Sequence, residues 1–108
     1  MKEYPIRDEG INVIGKQGEH GVRTFLFPVT EWEQEFPEGT FSLLVTRPGE
    51  VEGIPVVTTV SDGYLRWVVG IVETELSGTG SCEFAVLENG DVAKSITSQP
   101  KVIEINSA

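Results

Sequence analysis

Residues Thr40 to Val69 read TFSLLVTRPGEVEGIPVVTTVSDGYLRWVV, and this stretch decides the fold. Phe41, Leu43 and Val45 alternate with Ser42, Leu44 and Thr46, the two-residue period of a β-strand. Arg47-Pro48-Gly49 ends that run. Ile54 to Val60 is β-branched at nearly every position and predicts a second strand. Asp62-Gly63 is a two-residue hairpin signal, because a type I′ turn needs a positive φ that Asp and Gly tolerate. Tyr64 to Val69 then sets Leu65, Trp67 and Val69 on one face, with Tyr64, Arg66 and Val68 on the other. The stretch predicts three strands in succession, joined by turns.

Upstream, residues 1–10 are polar and carry Pro5 and Gly10, which predicts a loosely held arm or a short edge strand. The single domain is expected over residues 11–108. Ile11 to Ile14 is a short strand. Gly15 to Gly21, GKQGEHG, is a turn or exposed loop; without a strand-to-helix context its glycines do not read as a phosphate loop. Val22 to Val29 is a strand with apolar groups on both faces, ended by Pro28, which has no N–H to donate. Thr30 to Pro37, TEWEQEFP, predicts a helical turn with Thr30 as cap and Glu33 completing a capping box. Trp32 and Phe36, four apart, then plug one end of the domain together. Glu31, Glu33 and Glu35 point to different sides of such a turn, so they read as solvated acids near a helix start and not as a metal site.

Downstream, the glycines flanking Thr79 predict a turn, and Thr74 to Leu76 a short 3₁₀ segment or crossover. Ser81 to Glu88 alternates as a strand, Asn89-Gly90 is a second type I′ turn, and Asp91 to Ile96 returns as its partner. Lys101 to Ile105 closes the chain. Seven to eight short strands and no long helix predict an all-β fold: an antiparallel two-sheet β-sandwich, immunoglobulin-like or jelly-roll. Trp67 is the expected core anchor, packed with Phe41, Leu43 and Phe84.

The 108 residues suffice for one domain with one modest core. Seventeen acids against eight bases give a net charge of −9, which argues against nucleic acid, since phosphate binding draws on Lys and Arg. No apolar run reaches the length of about 18 residues that a membrane span needs. The N-terminal MKEYPIRDEG has no apolar core of a signal peptide, so synthesis and retention in the cytoplasm are expected. Cys82 is the only cysteine, which excludes an intramolecular disulfide and a thiolate zinc cluster. It is in phase with Phe84 and Val86 and reads as a small buried hydrophobe.

Catalysis needs a nucleophile with its base, a metal, or tuned carboxylates. His20, the only histidine, lies in a Gly-rich loop far in sequence from Cys82, and no two-histidine metal motif exists. The expectation is a non-enzyme without cofactor. The rival among binding functions is a carbohydrate-binding module, in which an aromatic ring stacks on a sugar. Trp32 and Tyr64 are its candidate contacts, with Tyr4 a third.

Five segments in order carry a resemblance: FLFPVTEW (25–32), FPEGTFSLLVTRPGE (36–50), IPVV (54–57), DGYLRWVV (62–69) and ETELSGTGSCEFAVLENGDVAKS (73–95). From about Gly15 to Val102 the chain resembles the N-terminal domain of baseplate upper proteins and related tail-fibre proteins of phages and prophages of Gram-positive bacteria. The shared pattern is Leu44-Val45-Thr46-Arg47-Pro48-Gly49 before a strand that opens on Pro, then a Trp-bearing strand after an Asp-Gly turn, then Gly-x-Gly opening the penultimate hairpin. The resemblance implies a viral structural protein, located in the phage tail after synthesis in the host cytoplasm. Such a β-sandwich attaches a receptor-binding or fibre protein to the baseplate through protein–protein contacts with other tail proteins, often as a homo-oligomer such as a trimer. Nucleic acid and membrane are not among the implied partners. In the family a longer C-terminal region frequently follows the sandwich; here the sequence stops at Ala108, so an excised domain and a short standalone protein both stay open. The family has no fixed ligand motif to carry over. Ile6 and Ile11, apolar groups near the N-terminal edge, are the expected assembly contacts.

Overall fold

A computed structural model describes residues 2–88, 95–97 and 99–108. It is a two-sheet β-sandwich with ten strands and one helical turn among those residues. One sheet holds β1 (Lys2–Pro5), β3 (Arg23–Pro28), β7 (Tyr64–Val68) and β6 (Thr59–Ser61), in the order β1-β3-β7-β6. The other has the order β2-β10-β8-β4-β5, from β2 (Ile11–Lys16), β10 (Lys101–Asn106), β8 (Gly78–Glu88), β4 (Gly39–Thr46) and β5 (Ile54–Val56), with β9 (Ser95–Thr97) also on β8. Neighbours pair antiparallel except β1 with β3 and β2 with β10, which run parallel. No helix among the described residues is long and apolar enough to cross a membrane.

The eleven-residue β8 is the spine of the larger sheet. It pairs with β4 from Gly39↔Glu88 to Thr46↔Ser81, so the alternation of both strands lies in phase. Leu43 meets Phe84 and Val45 meets Cys82 on the inner face, while Leu44 opposes Glu83 on the outer one. Trp67, Leu43, Val45, Leu65 and Ile103 are fully buried, joined by Ile14, Phe25, Phe27, Phe84 and Ile105. Of the four expected anchors, Trp67, Leu43 and Phe84 are in the core, and Phe41 is half-buried against it. They divide between two aromatic groups. Trp67 packs on Phe25 (ring centroids 5.9 Å), whereas Phe84 is met edge-on by Phe27, Trp32 and Phe41.

The Asp62-Gly63 turn forms as expected, with φ of 53° and 80° and Ser61 paired to Tyr64. Several details differ from the sequence reading. Ile54 to Val60 is two strands and not one: the chain leaves the larger sheet after Val56 and joins the smaller one at Thr59. Of the two readings of residues 1–10, the edge strand is the one observed, since Lys2–Pro5 pairs with β3 and the Ile6 N–H donates to Leu26 O at 2.9 Å. These two changes raise the strand count from the expected seven or eight to ten.

The helical turn α1 (Thr30–Glu35) is present, but its N-cap is Val29, and no side chain caps it. Val29 is fully buried, and its N–H donates to Gly63 O at 2.9 Å. That anchor fixes the start of the turn one residue early and draws Thr30 into it. Trp32 and Phe36 stack as expected, 6.2 Å apart, and Trp32 meets Phe84 at 5.0 Å. Around Thr79 there is ladder where a turn was expected: Thr79 pairs with Glu104. A Cβ on Gly80 would sit 2.3 Å from the Thr46 carbonyl oxygen, so this glycine permits close approach of two backbones. The Asn89-Gly90 turn lies outside the described residues; the returning strand is seen from Ser95 to Thr97.

Candidate functional site

The crossover from the smaller sheet to the larger, residues 70–77, builds a connected polar constellation. Trp67 is fully buried, and an indole N–H in that position requires an acceptor. Glu73 supplies it: its Oε1 accepts from Trp67 Nε1 at 2.9 Å and from the Gly70 N–H at 3.1 Å. Glu73 is itself buried. Beside it the buried Thr74 donates through Oγ1 to the Glu19 carbonyl at 2.7 Å, and Thr74 O accepts from the Gly18 N–H at 3.1 Å. The Ile71 N–H donates to His20 Nδ1 at 3.0 Å, which places the proton of a neutral ring on Nε2. The loop was expected from Gly15, but Gly15 and Lys16 belong to β2; residues 17–21, which follow it, are thus a clamp on the crossover.

Arg47 braces the crossover from the side of β4. Its Nε and Nη2 donate to the two carboxylate oxygens of Glu50 at 2.7 and 2.8 Å, and Nη1 donates to Val72 O at 3.1 Å. The hydrogen bond from Arg47 holds the Glu50 carboxyl below its ordinary value, against partial desolvation and with help from the attraction of the charges.

A groove of about 320 Å³ opens next to this constellation. Ile54 to Val57, Val68 and Ile71 to Glu73 line it, with His20 and Gly70. Val57 is 89 % exposed, and Val68, Ile71 and Val72 about half exposed. A second cleft, of about 670 Å³, lies beside Trp32, Phe84 and Phe27, with Asp8, Glu9 and Glu31 at its polar border. Lys101 Nζ lies 2.9 Å from Asp8 Oδ1 there. A third feature is the outer face of the larger sheet, where Ile11 and Val102 are register partners and, with Val13, are exposed.

Of the expected assembly contacts, Ile11 is on the surface, 51 % exposed. Ile6 is half-buried against the core, because the parallel pairing of β1 carries its backbone onto β3. Of the sugar-contact candidates, Trp32 is half-buried between Phe36 and Phe84, and Tyr64 stands exposed beside the hairpin turn. Tyr4 is stacked on Phe25 at 5.6 Å. Tyr64 is not among the residues that line the cleft beside Trp32. Cys82 is buried, and burial pushes its thiol up to about 12, opposed by Lys101 and assisted by Glu83. A thiol so placed stays neutral and is no nucleophile at neutral pH. Among the described residues no three His, Cys, Asp or Glu side chains converge as a metal site.

Sequence reading missed Glu73 and the aliphatic groove. A signal for the groove exists in three apolar doublets, Val56-Val57, Val68-Val69 and Ile71-Val72. In a strand two adjacent apolar residues cannot both face the core, and here Val57 and Val68 face out. The chain matches no protein-family model and no curated protein.

Proposed function

We propose that this domain is a non-enzymatic assembly module of a phage or prophage tail. On this reading it attaches a fibre or receptor-binding protein to the baseplate, as a homo-oligomer in contact with other tail proteins, and resides in the virion. The observation that supports a protein-docking role is the grouping of exposed aliphatic side chains. Val57, Val68, Ile71 and Val72 border one groove, and Ile11, Val13 and Val102 form a patch on the opposite sheet, on a chain of net charge −9. Grouped apolar surface on an otherwise charged domain marks contact with other macromolecules. The tail context comes from the ordered segments between Gly15 and Val102.

Quantitative mass spectrometry of phage particles purified after prophage induction tests this reading. A fixed ratio of this chain to baseplate proteins is the expected result. Recovery of the protein only in the particle-free lysate would overturn it. The alternative, a carbohydrate-binding sandwich, draws on the Trp32 cleft with its acidic border. Saturable glycan binding that is lost in Trp32→Ala, with the fold retained, would establish that reading instead.

A further inference from the structure

The hairpin ladder between β6 and β7 stops one rung short of the chain available to it. Its pairs are Ser61↔Tyr64 and Thr59↔Arg66, so the next bonded pair in register would be Val57↔Val68. The closing pair of a two-residue hairpin exchanges both backbone bonds, and alternate residues along a strand direct their N–H and C=O groups the same way. Tyr64, Arg66 and Val68 therefore face β6, while Val69 faces β3, where its N–H donates to Arg23 O at 3.0 Å. At Val57 the strand has already left for the larger sheet, and Val68 has no described strand partner on that side.

The vacated rung opens into the 320 Å³ groove. Its walls are aliphatic, and its two polar side chains each make bonds within the domain, Glu73 Oε1 with Trp67 and Gly70, His20 Nδ1 with Ile71. What the groove offers is backbone polarity at Val68 and apolar surface around it. That combination suits an extended peptide, which adds main-chain bonds to an open edge and sets alternate side chains into pockets. The neighbouring edge of β5 is protected, because Pro55 has no N–H to donate. Ten residues line the groove, fewer than the roughly 20–30 per side of a standard interface between folded proteins, so its size fits a short segment and not a second folded copy.

We infer that a partner polypeptide adds a short extended aliphatic segment to the free edge of β7 at Val68, with its side chains between Val57, Ile71 and Val72. This rests on the protein-assembly reading and names the partner's chemistry at that surface.

The test is amide and methyl NMR of the whole chain titrated with a capped synthetic peptide of alternating valine and threonine. The Val68 amide should exchange fast in the free protein and slow by about tenfold with peptide, the scale of one net backbone hydrogen bond. Methyl signals of Val57 and Ile71 should shift. N-methylation of the peptide along its bonding edge should weaken binding by about tenfold, and the double variant Val57→Lys, Ile71→Lys should abolish it without changing the melting temperature. Absence of binding, equal binding of the N-methylated peptide, or perturbation centred on Trp32 or Ile11 would each overturn the inference. So would self-association that protects Val68 without peptide. Particles that contain the chain, with Val68 unprotected by peptide, would reject this groove alone; peptide binding by a chain absent from particles would reject the tail role alone.

Discussion

The β4–β8 ladder and the broken run from Ile54 to Val60 are the two extremes of this sandwich. In the ladder eight consecutive rungs are made, and each inward residue of one strand opposes an inward residue of the other. In the broken run Ile54 to Val56 pair in one sheet and Thr59 and Val60 in the other, and between them Val57 lies 89 % exposed. Both segments are rich in strand-forming residues, so propensity does not separate them. Pairing does. β4 has a bonded neighbour on each side, β8 and β5, and holds even with Leu43, Leu44 and Val45 apolar in succession, whereas β5 ends its sheet, is bonded on one side only and carries Pro55, which has no N–H to donate. The sheet change after Val56 leaves Val57 between the two sheets, beside the aliphatic groove.

The largest expected effects lie on the closed side of this comparison. Trp67→Ala removes a fully buried indole and should cost about 3–5 kcal/mol, a large share of a margin of about 5–15 kcal/mol for a domain. Chemical denaturation should show it near unfolding, while Tyr64→Ala, on the exposed face three positions earlier, should stay within about 0.5 kcal/mol of wild type. Equal midpoints for the two variants would dismiss Trp67 as the anchor. Gly80→Ala comes next. The added Cβ meets backbone, the Thr46 carbonyl oxygen at 2.3 Å, so β4 and β8 must part, at an expected cost of about 1–3 kcal/mol. A variant as stable as wild type would show that the ladder yields as easily as the broken run.

How much was legible follows from the same contrast. The sandwich, the Asp62-Gly63 turn and the burial of Leu43, Trp67 and Phe84 could be read because each rests on local alternation or local φ. The cap at Thr30 was misplaced because a long-range bond, Val29 to Gly63, outweighs a local capping preference. Gly80 was read as a turn signal because composition does not distinguish a backbone bend from a backbone contact. Glu73 was invisible for a different reason. Its burial depends on Trp67 lying six residues back across the end of a sheet, and one acid among seventeen carries no mark of that. The expected contacts Ile6 and Ile11 are both apolar near an edge, but pairing half-buries the first and leaves the second exposed.

Glu73 sets the next prediction, since it closes the end of the sandwich beside the open groove. Glu73→Leu leaves the Trp67 N–H buried without its acceptor and should cost about 1–3 kcal/mol. Glu73→Gln keeps a carbonyl oxygen for both donors and should cost less. Thermal unfolding of the pair separates hydrogen bonding from mere volume. If Leu and Gln destabilise equally, the bond to Trp67 is not what holds the crossover.

The smallest effect concerns a side chain that reaches from the closed side to the open one. Arg47 follows β4 directly and bonds Glu50 on its own side and the Val72 carbonyl in the groove wall. Its hydrogen bond lowers the Glu50 carboxyl in the folded state. A carboxyl lowered by folding stabilises fully above its unfolded value, about 4.3, and that contribution is lost as pH falls through the folded value. Wild type should therefore exceed Glu50→Gln in stability at neutral pH by a small margin, and the gap should close under acid. The pair is exposed enough that salt should narrow the gap as well. Urea midpoints of both proteins across the acid range measure it. Equal midpoints at neutral pH would show that the bond to Glu50 contributes nothing, and a gap that persists or widens at low pH would show that its contribution does not depend on the carboxylate charge.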